Sequence, residues 1–297
     1  MASPFYFETL LTTALTGING GGVTATMSHV GEGIIVATVL YQVYETWWRG
    51  ADYNELGTVL IKGMLMTTLL ANWNTVFHLA MDAFNTVANT IMSHTGGGGD
   101  LVKQWIQQAQ TEWNNNSASQ ALWSLAKGGI SAAITAVLLV ISYIALALAY
   151  VIFSLLYLLA GVVLYGLGPL VCALYPSGSL GPYTKGYLKG FAIWGMWPVL
   201  YALFSSLMVL INMNTVTAVE NANGFLGFLS GLGSTLLIGI VSFVLAIAVA
   251  LIPVLAGSII NGDIGGAIGR VSRSAVGLAK GFGKGGGGGP GGGGGGG

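Results

Sequence analysis

The sequence predicts an all-α integral membrane protein with about five transmembrane helices, its N-terminus outside, its C-terminus inside, and an extra-long central helix. Three observations lead to this fold class. The 297 residues are 54% hydrophobic and only 7% charged, whereas a soluble domain carries roughly 25% charged residues. The segment Gly129–Leu174 runs for 46 residues without Asp, Glu, Lys, Arg or His, about twice the ~20 residues that one helical crossing needs. The basic residues of the predicted loops gather on one side of the membrane.

Charge and cysteine content exclude several other classes. Ten basic and ten acidic residues give a formal net charge of zero, so long-range attraction to nucleic acid is not expected. The single cysteine, Cys172, cannot form an internal disulfide, and no Cys/His cluster has zinc spacing. Residues 1–4 contain no Lys or Arg, and therefore do not form the charged start of a secretory signal peptide.

Residues 1–32 are predicted to form a periplasmic N-terminal amphipathic segment. Ser3 as N-cap and Pro4 at the first helical position favour a helix start. Apolar residues from Phe5 to Leu15 recur at roughly helical spacing, and the glycine-rich stretch Gly17–Gly22 ends the helix. Because this helix is too short to span a bilayer, we expect it to lie on the membrane surface or against a partner.

Residues 33–92 are predicted to hold the first two membrane helices, followed by a periplasmic loop at residues 93–128. The first helix runs from about Gly33 to Trp48, where two tryptophans and Arg49 form the aromatic and basic signature of a membrane interface. The second helix covers about Leu56–Met81 and is interrupted by polar residues.

Residues 129–175 are predicted to be the long central membrane helix, with the first signal for a break at Gly166-Leu167-Gly168-Pro169. A cytoplasmic linker at residues 176–189 leads to the last two membrane helices within residues 190–261. These helices are expected at about Gly190–Met213 and Phe225–Ile260, with a turn at Asn214–Asn223 between them. Residues 262–297 form a basic, Gly-rich tail that cannot bury enough apolar area to fold, so we expect a flexible cytoplasmic tether.

The loop charges predict the orientation. Five crossings with the N-terminus outside place two basic residues, Lys103 and Lys127, on the outer side and seven on the inner side. Six crossings would need a hairpin within the central run, but no turn residue lies between Ile134 and Ala160. Five crossings are therefore favoured, and the seven inner residues are Arg49, Lys185, Lys189, Arg270, Arg273, Lys280 and Lys284.

Two stretches resemble the polytopic inner-membrane subunit of bacterial type IV secretion systems, the TrbL/VirB-six type family. One is Tyr53-Asn54-Glu55-Leu56 with Leu60-Ile61-Lys62-Gly63 and Leu69-Leu70-Ala71-Asn72-Trp73, which is similar to the family's polar turn, basic residue and helix with a central Asn. The other is Tyr165-Gly166-Leu167-Gly168-Pro169-Leu170 with Leu174-Tyr175-Pro176, which is similar to the family's Gly-Pro-hydrophobic motif. The resemblance covers about Gly31–Ile260.

This resemblance implies a multi-copy component of the inner-membrane complex of a conjugation machine. Such subunits lie beneath the pilus or stalk, contact the minor pilus protein and help to move protein or protein–DNA substrates, so nucleic acid is expected only as transported cargo. Separate ATPases supply the energy, and this chain has no Gly-x-x-x-x-Gly-Lys-Ser/Thr run that could cradle a nucleotide. We expect no enzymatic activity and no cofactor, because the ten acidic residues do not converge on a readable site.

Polar residues of the second helix are the first candidates for a functional role. Lys62, Asn72 and Asn74 could line a polar conduit, but the favoured interpretation is that the asparagines join neighbouring helices while Lys62 snorkels to the surface. His78 and Asp82 share a helix face. They could form a proton relay or metal site, and we favour a simple hydrogen-bonded pair because no third ligand is visible.

Glycines and the tail supply the remaining candidates. Gly166, Gly168 and Pro169 mark either a hinge or gate or a plain helix end, and Gly227 with Gly231 could let two helix backbones approach closely. The basic tail can bind anionic membrane lipid. The functional alternatives are a small-solute channel or secondary transporter, and a membrane scaffold without a conduit. If the central helix packs around a symmetry axis, Ser142, Ser154 and Tyr157 are expected to face neighbouring copies.

Overall fold

The computed structural model describes residues 5–50, 53–94, 118–177, 179–220, 234–263 and 266. Within these ranges every regular element is a helix, which confirms the all-α fold class. In chain order the helices are α1 (Tyr6–Gly20), α2 (Val23–Trp48), α3 (Tyr53–Ala71), α4 (Trp73–His94), α5 (Ala118–Ala173), α6 (Gly181–Glu220) and α7 (Ser234–Ile260).

Several of these helices are long and apolar enough to cross a membrane, which confirms a polytopic membrane protein. Among the residues that the structure describes, four stretches qualify singly: Val23–Trp48, Ile144–Ala173, Gly181–Leu207 and Phe243–Ile260. The pair α3 and α4 qualifies as a fifth only if the two helices count as one bent span, because they meet at 80°. The count of four or five agrees with the expected number of crossings.

The first predicted membrane helix begins earlier than expected. Instead of starting near Gly33, α2 starts at Val23, directly after a turn in which Gly22 has a φ of 70°. That left-handed conformation favours glycine, and it separates α2 from α1. The glycines further along α2 do not interrupt it; a Cβ at Gly31 would lie 2.6 Å from a Leu70 methyl carbon, so this glycine permits close helix packing.

The second predicted membrane helix is wrong as a single element. It divides at Asn72 into α3 and α4. Asn72 Nδ2 donates to the Thr68 carbonyl at 3.0 Å, so a side chain competes for the backbone acceptor that would continue the α3 helix. The Asn72 carbonyl then accepts from Val76 N at 3.0 Å in the first turn of α4.

The later helices also differ from their expected limits. α5 passes through Gly166–Pro169 without a break and ends at Ala173, so the alternative of a plain helix end at Pro169 is wrong, and the hinge or gate stays a prediction. α6 begins at Gly181, inside the predicted linker, and continues to Glu220 through most of the predicted turn at Asn214–Asn223. α7 begins at Ser234, and residues 221–233 lie outside the described residues.

An aromatic core joins α1, α5 and α6. The Phe7 ring lies 5.2 Å from the Phe153 ring and 5.0 Å from the Tyr157 ring, and Tyr157 stacks on Trp194 at 4.8 Å. Such ring pairs contribute about 0.5–1.5 kcal/mol each beyond the area they bury. α1 is therefore packed against its own chain.

The face of α5 that points into the protomer carries the three residues that were expected to face neighbouring copies. Ser142, Ser154 and Tyr157 are buried inside the protomer, and Ser154 Oγ donates to the Tyr150 carbonyl at 2.8 Å. The expectation that these residues face neighbouring copies is therefore wrong. The outer face of α5, as we use the term, comprises the exposed residues Ile144, Leu148, Leu155 and Leu159.

Candidate functional site

The candidate site forms around Pro169, inside the membrane-spanning part of α5. Proline has no backbone N–H, so the carbonyl four residues before it, on Tyr165, loses its helical donor. The indole Nε1 of Trp73 donates to that carbonyl at 2.9 Å, and the bond is buried. A buried carbonyl without a donor costs about 1–3 kcal/mol, so Trp73 explains why α5 continues through the proline.

Gly168 makes room for the Trp73 indole. A Cβ at this position would lie 2.0 Å from Trp73 Cζ2 and 2.6 Å from the Tyr187 hydroxyl oxygen. No real side chain fits at such distances. A Cβ at Gly166, in contrast, would have no neighbour within 4 Å. The packing therefore requires only the second of the two glycines in the Gly-Leu-Gly-Pro sequence.

α6 supplies further donors to the same stretch of α5 backbone. The Tyr187 hydroxyl donates to the Leu164 carbonyl at 2.7 Å, and Thr184 Oγ1 donates to the Val171 carbonyl at 2.7 Å. One more contact lies further along, where Trp194 Nε1 donates to the Tyr157 carbonyl at 3.0 Å. Together these bonds fasten α4 and α6 to α5 on both sides of the proline.

A polar triad that includes the Tyr165 side chain, one turn before Pro169, joins three helices. The Tyr165 hydroxyl lies 2.6 Å from Asn19 Oδ1 and 2.8 Å from Asn74 Oδ1, and its single proton is shared between these two acceptors. Asn19 Nδ2 donates to Asn74 Oδ1 at 3.1 Å. The triad links the end of α1 to the start of α4 and to α5. We call the set Trp73, Tyr165, Gly168, Pro169 and Tyr187, with this triad, the Pro169 junction.

α2 and α3 also contact the Pro169 junction, near the end of α5. A Cβ at Gly31 would approach the Pro169 carbonyl oxygen to 3.1 Å, so α2 passes directly over the end of α5. On α3, Lys62 is half-buried, and its ammonium lies 5.9 Å from the centre of the Tyr175 ring. This cation–π contact places Lys62 where α5 ends.

The polar residues expected to act together do not form one site. Asn74 belongs to the junction, whereas Asn72 bonds within its own helix. His78 lies half-buried with its ring 6.2 Å from the Tyr165 ring, but no hydrogen bond or ion pair joins it to the exposed Asp82. The favoured hydrogen-bonded pair is therefore not formed, and among the described residues no three His, Cys, Asp or Glu side chains gather closely enough to hold a metal ion.

The basic residues that predicted the orientation are exposed where the structure describes them. Arg49 pairs with Glu45 in the last turn of α2, and Lys185 and Lys189 lie in the first turns of α6. The other predicted residues lie outside the described ranges: Gly227, Gly231, Arg270, Arg273, Lys280 and Lys284.

Sequence reasoning missed two features of this region. The Trp73–Tyr165 bond joins residues 92 positions apart; the only local signal was the proline four residues after Tyr165. The other feature is Glu8, which is 1% exposed in the core beside α5. Its spacing to Leu11 and Leu15 places it on the buried face of α1, and that pattern could have identified it as a buried carboxyl group.

The junction is suited to holding helices together, and its groups are not arranged for catalysis. Its polar atoms are paired with one another or with backbone carbonyls, and its carbon atoms are packed too closely for a substrate. What it can do chemically is to keep a bent helix pair and a proline-containing helix in one arrangement at membrane depth.

One comparison with known proteins gives a match. A family model described as TrbL/VirB6 plasmid conjugal transfer protein matches residues 33–252, which is more than half of the chain. The matched range includes α3, α4, α5 and α6 and therefore most of the Pro169 junction. No curated protein and no solved structure matches the chain.

Proposed function

This chain belongs to the TrbL/VirB6 plasmid conjugal transfer family, and we propose that it is the inner-membrane subunit that oligomerises at the base of the stalk or pilus. Family membership and the apolar helices make it a multi-pass membrane component of a conjugal transfer, or type IV secretion, machine. In the proposal, several copies form part of the translocation path for protein or protein–DNA substrates. The chain contributes no catalytic group, and energy comes from partner ATPases.

The length of α5 is the observation that carries the proposal. Its 56 residues correspond to about 84 Å at ~1.5 Å per residue, whereas the hydrocarbon core is only about 30 Å thick. More than half of the helix must therefore extend beyond the hydrocarbon core. This extension is where a stalk base would contact the subunit.

The composition of the extension supports assembly from several copies. The uncharged run Gly129–Leu174 is itself about 69 Å long as a helix, so part of it also lies outside the hydrocarbon core. An apolar helix outside the bilayer exposes its surface to water unless other protein covers it. Neighbouring copies or another secretion subunit, such as the minor pilus protein, would provide that cover.

The dense packing of the Pro169 junction supports a translocation path that runs between copies of the chain. Within one protomer, the polar residues Asn19, Asn74 and Tyr165 bond to one another, and the adjacent aromatic rings fill the space between helices. A protein-sized substrate cannot pass through such packing. The proposed path therefore runs along surfaces that several copies enclose.

Gentle detergent extraction from native membranes tests the proposal. We expect the chain to elute in a large assembly together with other type IV secretion subunits, including the minor pilus protein and ATPases, as identified by mass spectrometry. A lone small oligomer with none of these subunits would overturn the proposal. The matched control is an unrelated multi-pass protein of the same membranes, which must not bring the same subunits with it.

A second candidate, a small-solute transporter, is favoured by one observation. The α3–α4 pair is broken by 80° beside Asn72 and Asn74, and secondary transporters place substrate sites at broken helices. Solute uptake by proteoliposomes that contain only this chain would support the transporter. In our proposal the isolated chain shows no such uptake.

A further inference from the structure

α2 and α3 form an antiparallel pair, which we call the α2–α3 hairpin. Their contacts run in opposite directions along the two helices: Gly31 lies against Leu70, and a Cβ at Gly63 would be 2.8 Å from Val39 Cγ2. The two helices therefore share one axis direction, and whatever orients α3 in the membrane also orients α2.

The orientation of the hairpin relative to the membrane plane follows from its angle to α4. The Trp73 and Tyr187 rings are 6.4 Å apart and the Phe77 and Phe191 rings 5.3 Å apart, so α4 runs alongside the membrane-spanning start of α6. α3 meets α4 at 80°. A helix at that angle to a spanning neighbour lies close to the membrane plane, and it cannot cross the bilayer together with α4.

The depth of the hairpin in the membrane is also determined by its contacts. Gly31 and Leu70 meet at the Pro169 carbonyl, and Lys62 lies over the Tyr175 ring. This is the end of the bundle where α5 stops and α6 begins. α1 lies along the membrane-spanning part of α5 itself, since a Cβ at Gly161 would be 2.7 Å from Leu11 Cδ1, and α4 lies along α6.

Along the hairpin the exposed surface is aliphatic, as at Leu40, Ile61 and Met64, whereas around its tip the exposed side chains are aromatic. The side chains that share this feature are between 60% and 84% exposed, and they are Tyr41, Tyr44, Trp47, Trp48 and Tyr53. The buried face of α2 instead carries polar residues such as Gln42 and Thr46. Trp and Tyr rings favour the boundary between lipid headgroups and acyl chains, so this distribution places the tip of the hairpin at that boundary, and the 80° angle between α3 and α4 keeps the rest of the pair near the same depth.

We propose that the α2–α3 hairpin lies in the plane of the membrane interface and binds the headgroup–acyl boundary of the leaflet on the side of Lys185 and Lys189. The two crossings that the sequence assigned to residues 33–48 and 56–81 are instead made by α1 and α4. The total of five crossings and the outside N-terminus are unchanged. α1, with 15 residues, is only about 22 Å long, so its crossing requires the bilayer to thin around it.

The lipid partner is recognised by its apolar boundary, and anionic charge is not required. The hairpin region carries more acidic than basic residues: Glu32, Glu45, Asp52 and Glu55 against Arg49 and Lys62. Electrostatic attraction to anionic lipid therefore contributes little here. Neutral phosphatidylcholine vesicles are a sufficient probe.

Depth measurements by spin-label power saturation test the proposal, independently of any role in secretion. The full chain carries Cys172→Ala and one spin label, at Ile61, Met64 or Leu65 on α3, in phosphatidylcholine vesicles. We expect all three labels to remain near the headgroup boundary. Labels at Ile144, Leu148 and Leu155 on the outer face of α5 are the control, and they should move steadily towards the bilayer centre.

Two outcomes would overturn the proposal. If the α3 labels move progressively to the bilayer centre, as on α5, then α3 crosses the membrane. If the α3 labels are shielded from both oxygen and a water-soluble nickel chelate, then protein and not lipid covers the hairpin. Addition of anionic phosphatidylglycerol should leave the measured depths unchanged, and a deeper position only in anionic vesicles would also contradict the proposed mode of binding.

Discussion

At the scale of single residues, the Trp73 indole supplies to the Tyr165 carbonyl the donor that Pro169 lacks. Replacement of Trp73 by Phe keeps an aromatic ring but removes the N–H. We expect Trp73→Phe to reduce stability by about 1–3 kcal/mol, because the buried carbonyl is left without a partner. The apparent melting temperature in detergent, followed by size-exclusion chromatography of heated samples, measures this loss.

A second substitution gives this prediction its control. Pro169→Ala restores a backbone N–H four residues after Tyr165, so the carbonyl no longer depends on the indole. The double variant should therefore lose less stability than the sum of the two single variants. Equal and additive losses would show that the hydrogen bond is not what the indole contributes.

Gly168 and Gly166 form a matched pair for a test of packing. Gly168→Ala places a Cβ 2.0 Å from the Trp73 ring, whereas Gly166→Ala meets no atom within 4 Å. We expect Gly168→Ala to cost about 1–3 kcal/mol through overpacking. Gly166→Ala should leave stability unchanged or raise it slightly, since alanine favours the helix. The same thermal assay compares them, and an equal response at both positions would contradict the described packing.

At the scale of helices, the outer face of α5 is the surface available for contact between copies. Leu155→Cys places a thiol on that face, and Ser154→Cys places one in the protomer interior, only one residue away. Both variants carry Cys172→Ala, so no other thiol is present. If α5 helices meet in an oligomer, copper-phenanthroline oxidation of native membranes should produce a disulfide-linked dimer with Leu155→Cys only. A dimer with Ser154→Cys instead would mean that the inward face is wrongly described.

The helix content was predictable from sequence because it depends on local hydrophobicity. The uncharged run Gly129–Leu174 predicted the membrane-spanning part of α5, and the apolar stretch before Ile260 predicted α7. The α3–α4 break at Asn72 was not predicted, and the continuity of α5 through Pro169 was not predictable, because that continuity depends on a bond between Trp73 and Tyr165. A donor 92 residues away leaves no periodic signal around the acceptor.

The same limit applies to the candidate site. Asn74, Gly168 and Pro169 were recognised as unusual residues for a membrane helix, but their joint location was not. The partners that unite them, Asn19 and Tyr187, come from α1 and α6, and only the packing of four helices brings them together. Hydrophobic patterning determines which face of a helix is buried, and it does not determine which polar groups meet there.

At the scale of the whole molecule, the helix contacts suggest a consistent path through the membrane. α1 and α5 run in one direction, since Phe7 lies beside Phe153 and Asn19 beside Tyr165. α6 runs in the opposite direction, since Thr184 bonds to Val171 near the end of α5 and Trp194 bonds to Tyr157, about four turns earlier on α5. The exposed lysines at the start of α6 then lie on the side that the loop charges assign to the cytoplasm.

Cysteine labelling of intact bacterial cells tests this path as a whole. In the Cys172→Ala background, a membrane-impermeant maleimide should react from outside with Thr95→Cys and Asn221→Cys, which belong to the two proposed periplasmic connections. Ser179→Cys, between α5 and α6, should react only after the inner membrane is permeabilised. Trp48→Cys should behave like Ser179→Cys, because the α2–α3 hairpin is proposed to lie at the inner leaflet.

Reaction of Ser179→Cys in intact cells would reverse the orientation. If Trp48→Cys alone reacts from outside, the orientation of α5 and α6 stands, and the hairpin must cross the membrane after all.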